Sequence, residues 1–136
     1  MYKILATILL IANIAFSQNA DDIIGKYHLP NDLDVEIFKK NDSYFGKIIA
    51  LNDYENGQVT DIKNPDESKR KDSLIGKVII ENLKFDHTEK IWKEGLMYGA
   101  EKGMFFNLKI TDIKKNEIIV IGSKFLFWKT LSWKKI

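Results

Sequence analysis

Apolar and polar residues alternate with a period of two along much of this chain, and no other feature restricts the fold as strongly. Leu33, Val35 and Ile37 alternate with Asp34 and Glu36; Phe106, Leu108 and Ile110 alternate with Asn107, Lys109 and Thr111. Phe125, Phe127, Leu131 and Trp133 share a third such parity, broken by Lys129. Successive side chains of an extended backbone point to opposite faces, so each run reads as a strand with one buried face. Further strands are expected at 24–29, 44–51, 77–83, 91–98 and 118–122, which makes about eight.

Turn signals divide these runs at short spacing. Lys40-Asn41-Asp42-Ser43, Glu101-Lys102-Gly103 and Lys114-Lys115-Asn116-Glu117 each separate one strand-like run from the next. Eight short antiparallel strands in one domain predict a closed or nearly closed barrel, because closure removes exposed edges. One stretch is ambiguous. Leu74, Ile75, Val78, Ile79 and Leu83 could form a helical stripe, while Gly76 and the β-branched run Val78-Ile79-Ile80 favour a strand. Residues 52–72 are polar and charged, with Gly57 and Pro65 and little periodicity. A loop of that length in a compact domain is commonly functional or mobile.

The first residues follow another rule. Met1-Tyr2-Lys3 precedes an apolar run from Ile4 to Phe16, and Ala15-x-Ser17 places small residues where signal peptidase needs them. The apolar run is about 13 residues, short of the roughly 20 that span a bilayer as a helix. Residues 1–17 therefore read as a secretory signal peptide and 18–136 as one exported, soluble domain, periplasmic or extracellular, without a transmembrane segment. The sequence has no cysteine. That leaves no disulfide, no thiol nucleophile and no site for a lipoprotein anchor, so the core alone must stabilise the domain.

Net charge is +2 with both signs interspersed, which gives no footprint for nucleic acid. Lys124, Lys129, Lys134 and Lys135 make the C-terminal segment locally basic, as lysines guarding a strand edge would. His28 and His87 lack metal-ligand spacing, and no phosphate-cradling glycine loop or nucleophile elbow occurs. No cofactor, metal or catalytic residue is expected on these grounds. The aromatics are more informative: Trp92, Tyr98, Phe105, Phe106, Phe125, Phe127, Trp128 and Trp133 crowd the C-terminal half. Phe127 and Trp128 cannot both face inward.

Lys63-Asn64-Pro65-Asp66, Leu74-Ile75-Gly76, Trp92-x-x-Gly95-Leu96-Met97-Tyr98, Gly103, Gly122 and Trp133 stand in an order that resembles a bacterial exported family, domain of unknown function twenty-one forty-seven. The resemblance runs from about Ile24 to the C-terminus and implies a lipocalin-like (calycin-like) barrel, with no activity attached. This chain departs from the family at three places. The early Gly-x-Trp is Gly25-Lys26-Tyr27, the Asp-Pro after Tyr98 is Gly99-Ala100, and the terminal Trp-x-Arg is Trp133-Lys134-Lys135. Such barrels are closed by an arginine packed over the first-strand tryptophan. Tyr27 and Trp133 would have to close this one, or leave it looser.

Three functions are weighed, in this order. The first is binding of a small hydrophobic or amphipathic ligand in the cell envelope, in a cavity lined by aromatics. The second is a protein-interaction or envelope-stress module that uses the 52–72 loop and exposed aromatics such as Trp128 to bind an envelope protein. The third is a hydrolase with an unrecognised site. The candidate ligand-binding residues are Lys63, Asn64, Asp66 and Arg70, whose polarity packing does not require, together with Trp92, Tyr98 and Trp133.

Overall fold

The structure is a computed structural model and describes residues 18–136. The expected leader lies outside the described residues. Eight strands follow one another: β1 (Gly25–His28), β2 (Leu33–Lys40), β3 (Ser43–Leu51), β4 (Val78–Asp86), β5 (Ile91–Gly99), β6 (Met104–Ile113), β7 (Glu117–Lys124) and β8 (Phe127–Lys135). Each is antiparallel to the next, and β1 also pairs with β8, so the sheet closes into an up-and-down barrel.

Alternation builds the core as expected. Val35, Ile37, Ile48, Leu83, Leu108, Ile110, Ile118 and Val120 are buried, while Glu36, Lys47, Asn107, Lys109 and Ile119 occupy the intervening outward positions. The two-residue β2–β3 turn shows why Asn41-Asp42 stops a strand. Both residues have positive φ, 50° and 62°, the backbone of a hairpin turn whose twist matches its flanking strands. The ambiguous 74–83 stretch is strand from Val78 onward. Leu74 is buried ahead of it, and Gly76 turns the chain at φ 84°.

The seam closes by backbone pairing of β1 with β8: Tyr27 is opposite Lys135 and His28 opposite Lys134, and the Ile136 amide donates to the Lys26 carbonyl at 3.0 Å. Tyr27 and Trp133 are both buried. The C-terminal lysines therefore do not guard a free edge: β8 is paired on both sides, and Lys134 reaches Glu117 at 3.3 Å.

One end of the barrel is plugged. A 3-10 turn, Ala20–Ile23, crosses it and buries Ile23. Trp92 Nε1 donates to the Ala20 carbonyl at 2.9 Å, and the Tyr27 hydroxyl to that of Ile23 at 2.7 Å. Gln18 donates to the carbonyls of Lys90 and Thr111 and accepts from the Ile113 amide. Tyr44 donates to Asp21 at 2.5 Å.

Candidate functional site

The other end opens into the lumen. A cavity of about 510 Å³ runs inward from the β1–β2, β5–β6 and β7–β8 turns, walled by Met97, Phe106, Leu108, Val120, Leu131 and Trp133. Glycine makes the room. Gly99 and Gly122 line the space, and Gly122 shares the inward parity of Ile118 and Val120. A Cβ on Gly122 would meet the Phe106 ring at 3.3 Å, so any larger side chain there must take up lumen volume. Lys129 stands opposite Gly122 at the inward parity of Leu131 and Trp133. The lysine that broke the apolar pattern thus lines the wall near the mouth, where it is exposed. Asn31, Glu101, Ser123 and Lys124 are the other polar residues of the lining, and Phe127 and Trp128 border the opening. An apolar chamber with a few polar groups at one end suits a molecule with an apolar body and one polar head.

A second constellation lies outside the lumen. Asp61 is fully buried. Its carboxylate accepts from the Tyr98 hydroxyl at 2.6 Å and from Asn64 Nδ2 at 2.7 Å, and Lys77 Nζ lies 3.2 Å away. Burial, and then the hydrogen bond to Asp61, push the Tyr98 hydroxyl well above its usual pKa. Asn64 passes the network on: its side-chain oxygen takes the Asp66 amide and its carbonyl takes Arg70 Nε. Asp66 caps the 3-10 turn Glu67–Lys69 through the Ser68 amide and hydroxyl, which hold its carboxyl below the ordinary range. Residues 52–72 are thus tied together by hydrogen bonds centred on Asp61, Asn64 and Asp66.

That structure is latched to the mouth. The Tyr54 hydroxyl donates to Glu101 at 2.5 Å, and Lys63 Nζ donates to the Glu101 carbonyl at 2.8 Å. Tyr54 is pushed up by burial first and by Glu101 second. Gly103 lies against the Lys63 carbonyl with φ 62°, where a Cβ would sit 2.0 Å from the oxygen.

The seven candidate ligand residues therefore separate. Lys63, Asn64, Asp66, Arg70 and Tyr98 come together, but on the outside of the wall, with Lys63 engaged by the Glu101 carbonyl and the others by the loop itself. Trp92 is buried at the plugged end. Trp133 lines the cavity. The sequence reading passed over Asp61, Lys77, Tyr54 and Glu101, and over the lumen group Met97, Leu131 and Lys129. Parity was the available signal for the lumen. A glycine and a lysine at inward positions, both near one end, mark where side chains do not fill the barrel.

The fold and cavity define the class: a small lipocalin-like barrel, plugged at one end and open at the other. The chain belongs to the family described as uncharacterized protein conserved in bacteria (DUF2147), whose model matches residues 25–135. Among solved structures it is similar to HP1028 from the human pathogen Helicobacter pylori, a protein described as belonging to the lipocalin family. The two share 20% identity and a TM-score of 0.74, over 84% of this chain and 82% of that one. No curated protein matches. No helix among the described residues is long and apolar enough to cross a membrane.

Proposed function

We propose that this protein binds a small hydrophobic or amphipathic molecule in its lumen and works in the cell envelope after export. The observation that carries the reading is the cavity of about 510 Å³, within the roughly 300–1,000 Å³ common for small-molecule sites. A barrel evolved only for stability would fill that space, because unfilled apolar volume is destabilising. Leu131, Phe106, Met97 and Trp133 would hold the apolar body and Lys129 the polar head. The 52–72 loop, with Lys63, Asn64, Asp66, Arg70 and Tyr98, would act on the ligand by fixing the rim through Glu101. Trp92 would act by holding the plug.

Native mass spectrometry of the protein purified from its own host tests both ligand and export. A retained small molecule, on a chain that begins at Gln18, is the expected result. A chain beginning at Met1 would refute cleavage. Bare protein that also fails to take up any lipid extract from that host would count against the ligand.

A further inference from the structure

The end of the β7–β8 hairpin carries four consecutive large apolar residues in water. Phe125, Leu126, Phe127 and Trp128 are 91, 87, 80 and 75% exposed. Phe125 was expected to begin the last strand; it lies in the turn instead, with φ 55°. Hairpin turns usually give that backbone to glycine or asparagine, so the bulky ring is retained there against conformational preference. Met104 and Phe105, exposed at the start of β6, widen the patch. Lys124 ties the two together by donating to the Phe105 carbonyl at 2.8 Å.

Two physical features identify what meets this tip. Consecutive residues point in different directions, so the apolar surface runs around the hairpin end and does not form one flat face. A protein partner covers one side of such a finger, whereas a bilayer surrounds it. The flanking charges agree. Lys124 and Lys129 bracket the four residues and Lys102 lies on the neighbouring turn, while the carboxylate of that turn, Glu101, is engaged by Tyr54. Aromatic rings at headgroup depth, with lysines reaching outward to phosphates, are what binds at the surface of an anionic membrane.

We propose that the β7–β8 tip docks the protein on anionic lipid bilayers. Phe125, Leu126, Phe127 and Trp128 enter the headgroup boundary, and Lys102 and Lys124 lie on lipid phosphates. Phe127, Trp128 and Lys129 also border the cavity, so docking brings the mouth onto the membrane. This holds whatever the lumen contains.

The test is co-sedimentation of the purified protein with phosphatidylglycerol–phosphatidylcholine vesicles and with pure phosphatidylcholine vesicles. The protein should pellet with the anionic vesicles, and about tenfold more weakly with neutral ones or in high salt. Phe125→Ser/Leu126→Ser should remain in the supernatant, with thermal stability unchanged because both side chains are exposed. Lys102→Gln/Lys124→Gln should bind the two vesicle types alike. Brominated lipids should quench tryptophan emission in the parent chain, and much less in Trp128→Phe. Parent protein left in the supernatant, or serine variants that pellet equally, would overturn the proposal. So would a tip-dependent dimer that forms without vesicles and ignores them.

Discussion

Asp61 shows how one residue organises the region beside the mouth. A buried carboxylate is tolerated only when its oxygens are satisfied, and here Tyr98, Asn64 and Lys77 do so. Removing one partner of such a set costs more than the set itself contributes, because the others stay buried and unpaired. Asp61→Ala should lower unfolding stability by about 2–4 kcal/mol in urea titrations, and Tyr98→Phe by about 1 kcal/mol. An Asp61→Ala protein as stable as the parent would contradict the network. Protonation gives a second handle. Asp21 is held low mainly by Tyr44, Asp66 by Ser68, Asp86 by the Glu89 and Thr88 amides, and Glu117 by Ser132. A folded-state pKa below the unfolded value gives stability that is present above the ordinary carboxylate range and lost as pH falls through the lowered values. The melting temperature should therefore be flat between about pH 5 and about pH 9 and fall steadily below about pH 4, and Glu117→Gln should shallow that fall. Burial pushes Tyr27 up to about 12, so its contribution has the opposite sign: it is present below 10.0, the ordinary tyrosine value, and lost as pH rises above it.

At the scale of elements, turns and loop explain what the sequence could and could not convey. Period-two alternation is local, so β2, β6 and most of β8 were legible from residues a few positions apart. Asn41-Asp42 marked a hairpin for the same reason. The 52–72 loop was legible as polar but not as ordered, because its order comes from distant residues: Asp61 meets Tyr98 and Lys77, and Lys63 and Tyr54 meet Glu101. A resemblance carried by Lys63-Asn64-Pro65-Asp66 thus drew attention to a segment that supports the rim from outside. The start of β8 was misread because Phe125 has the residue type of a strand and the backbone of a turn. Gly103 joins turn and loop, and its requirement is sharp. Gly103→Ala adds a Cβ 2.0 Å from the Lys63 carbonyl at a positive φ. A loss of at least about 2 kcal/mol is expected, with faster proteolysis within residues 52–72. Unchanged cleavage would show that loop and turn are not coupled.

For the molecule as a whole, eight strands enclose more space than their side chains fill, and the unfilled portion lies at one end. Trp92, Tyr27, Ile23 and Gln18 seal the opposite end, so exchange with solvent runs through the mouth that carries Lys129 and the exposed tip. The barrel was legible from alternation and turn spacing. The cavity was not, because volume depends on how eight strands meet, and the sequence only hinted at it through Gly122 and Lys129. The direct test of a ligand-binding lumen fills that volume from a position that already faces it. Anilinonaphthalene sulfonate, an amphipathic fluorophore, is titrated into the parent chain, into Leu131→Trp and into Phe125→Ser/Leu126→Ser, with far-ultraviolet circular dichroism confirming the fold of each. Saturable binding at one site is predicted for the parent and for the serine variant, and affinity at least about tenfold weaker for Leu131→Trp. Equal binding by Leu131→Trp and the parent, or binding lost only in the serine variant, would contradict a ligand in the lumen.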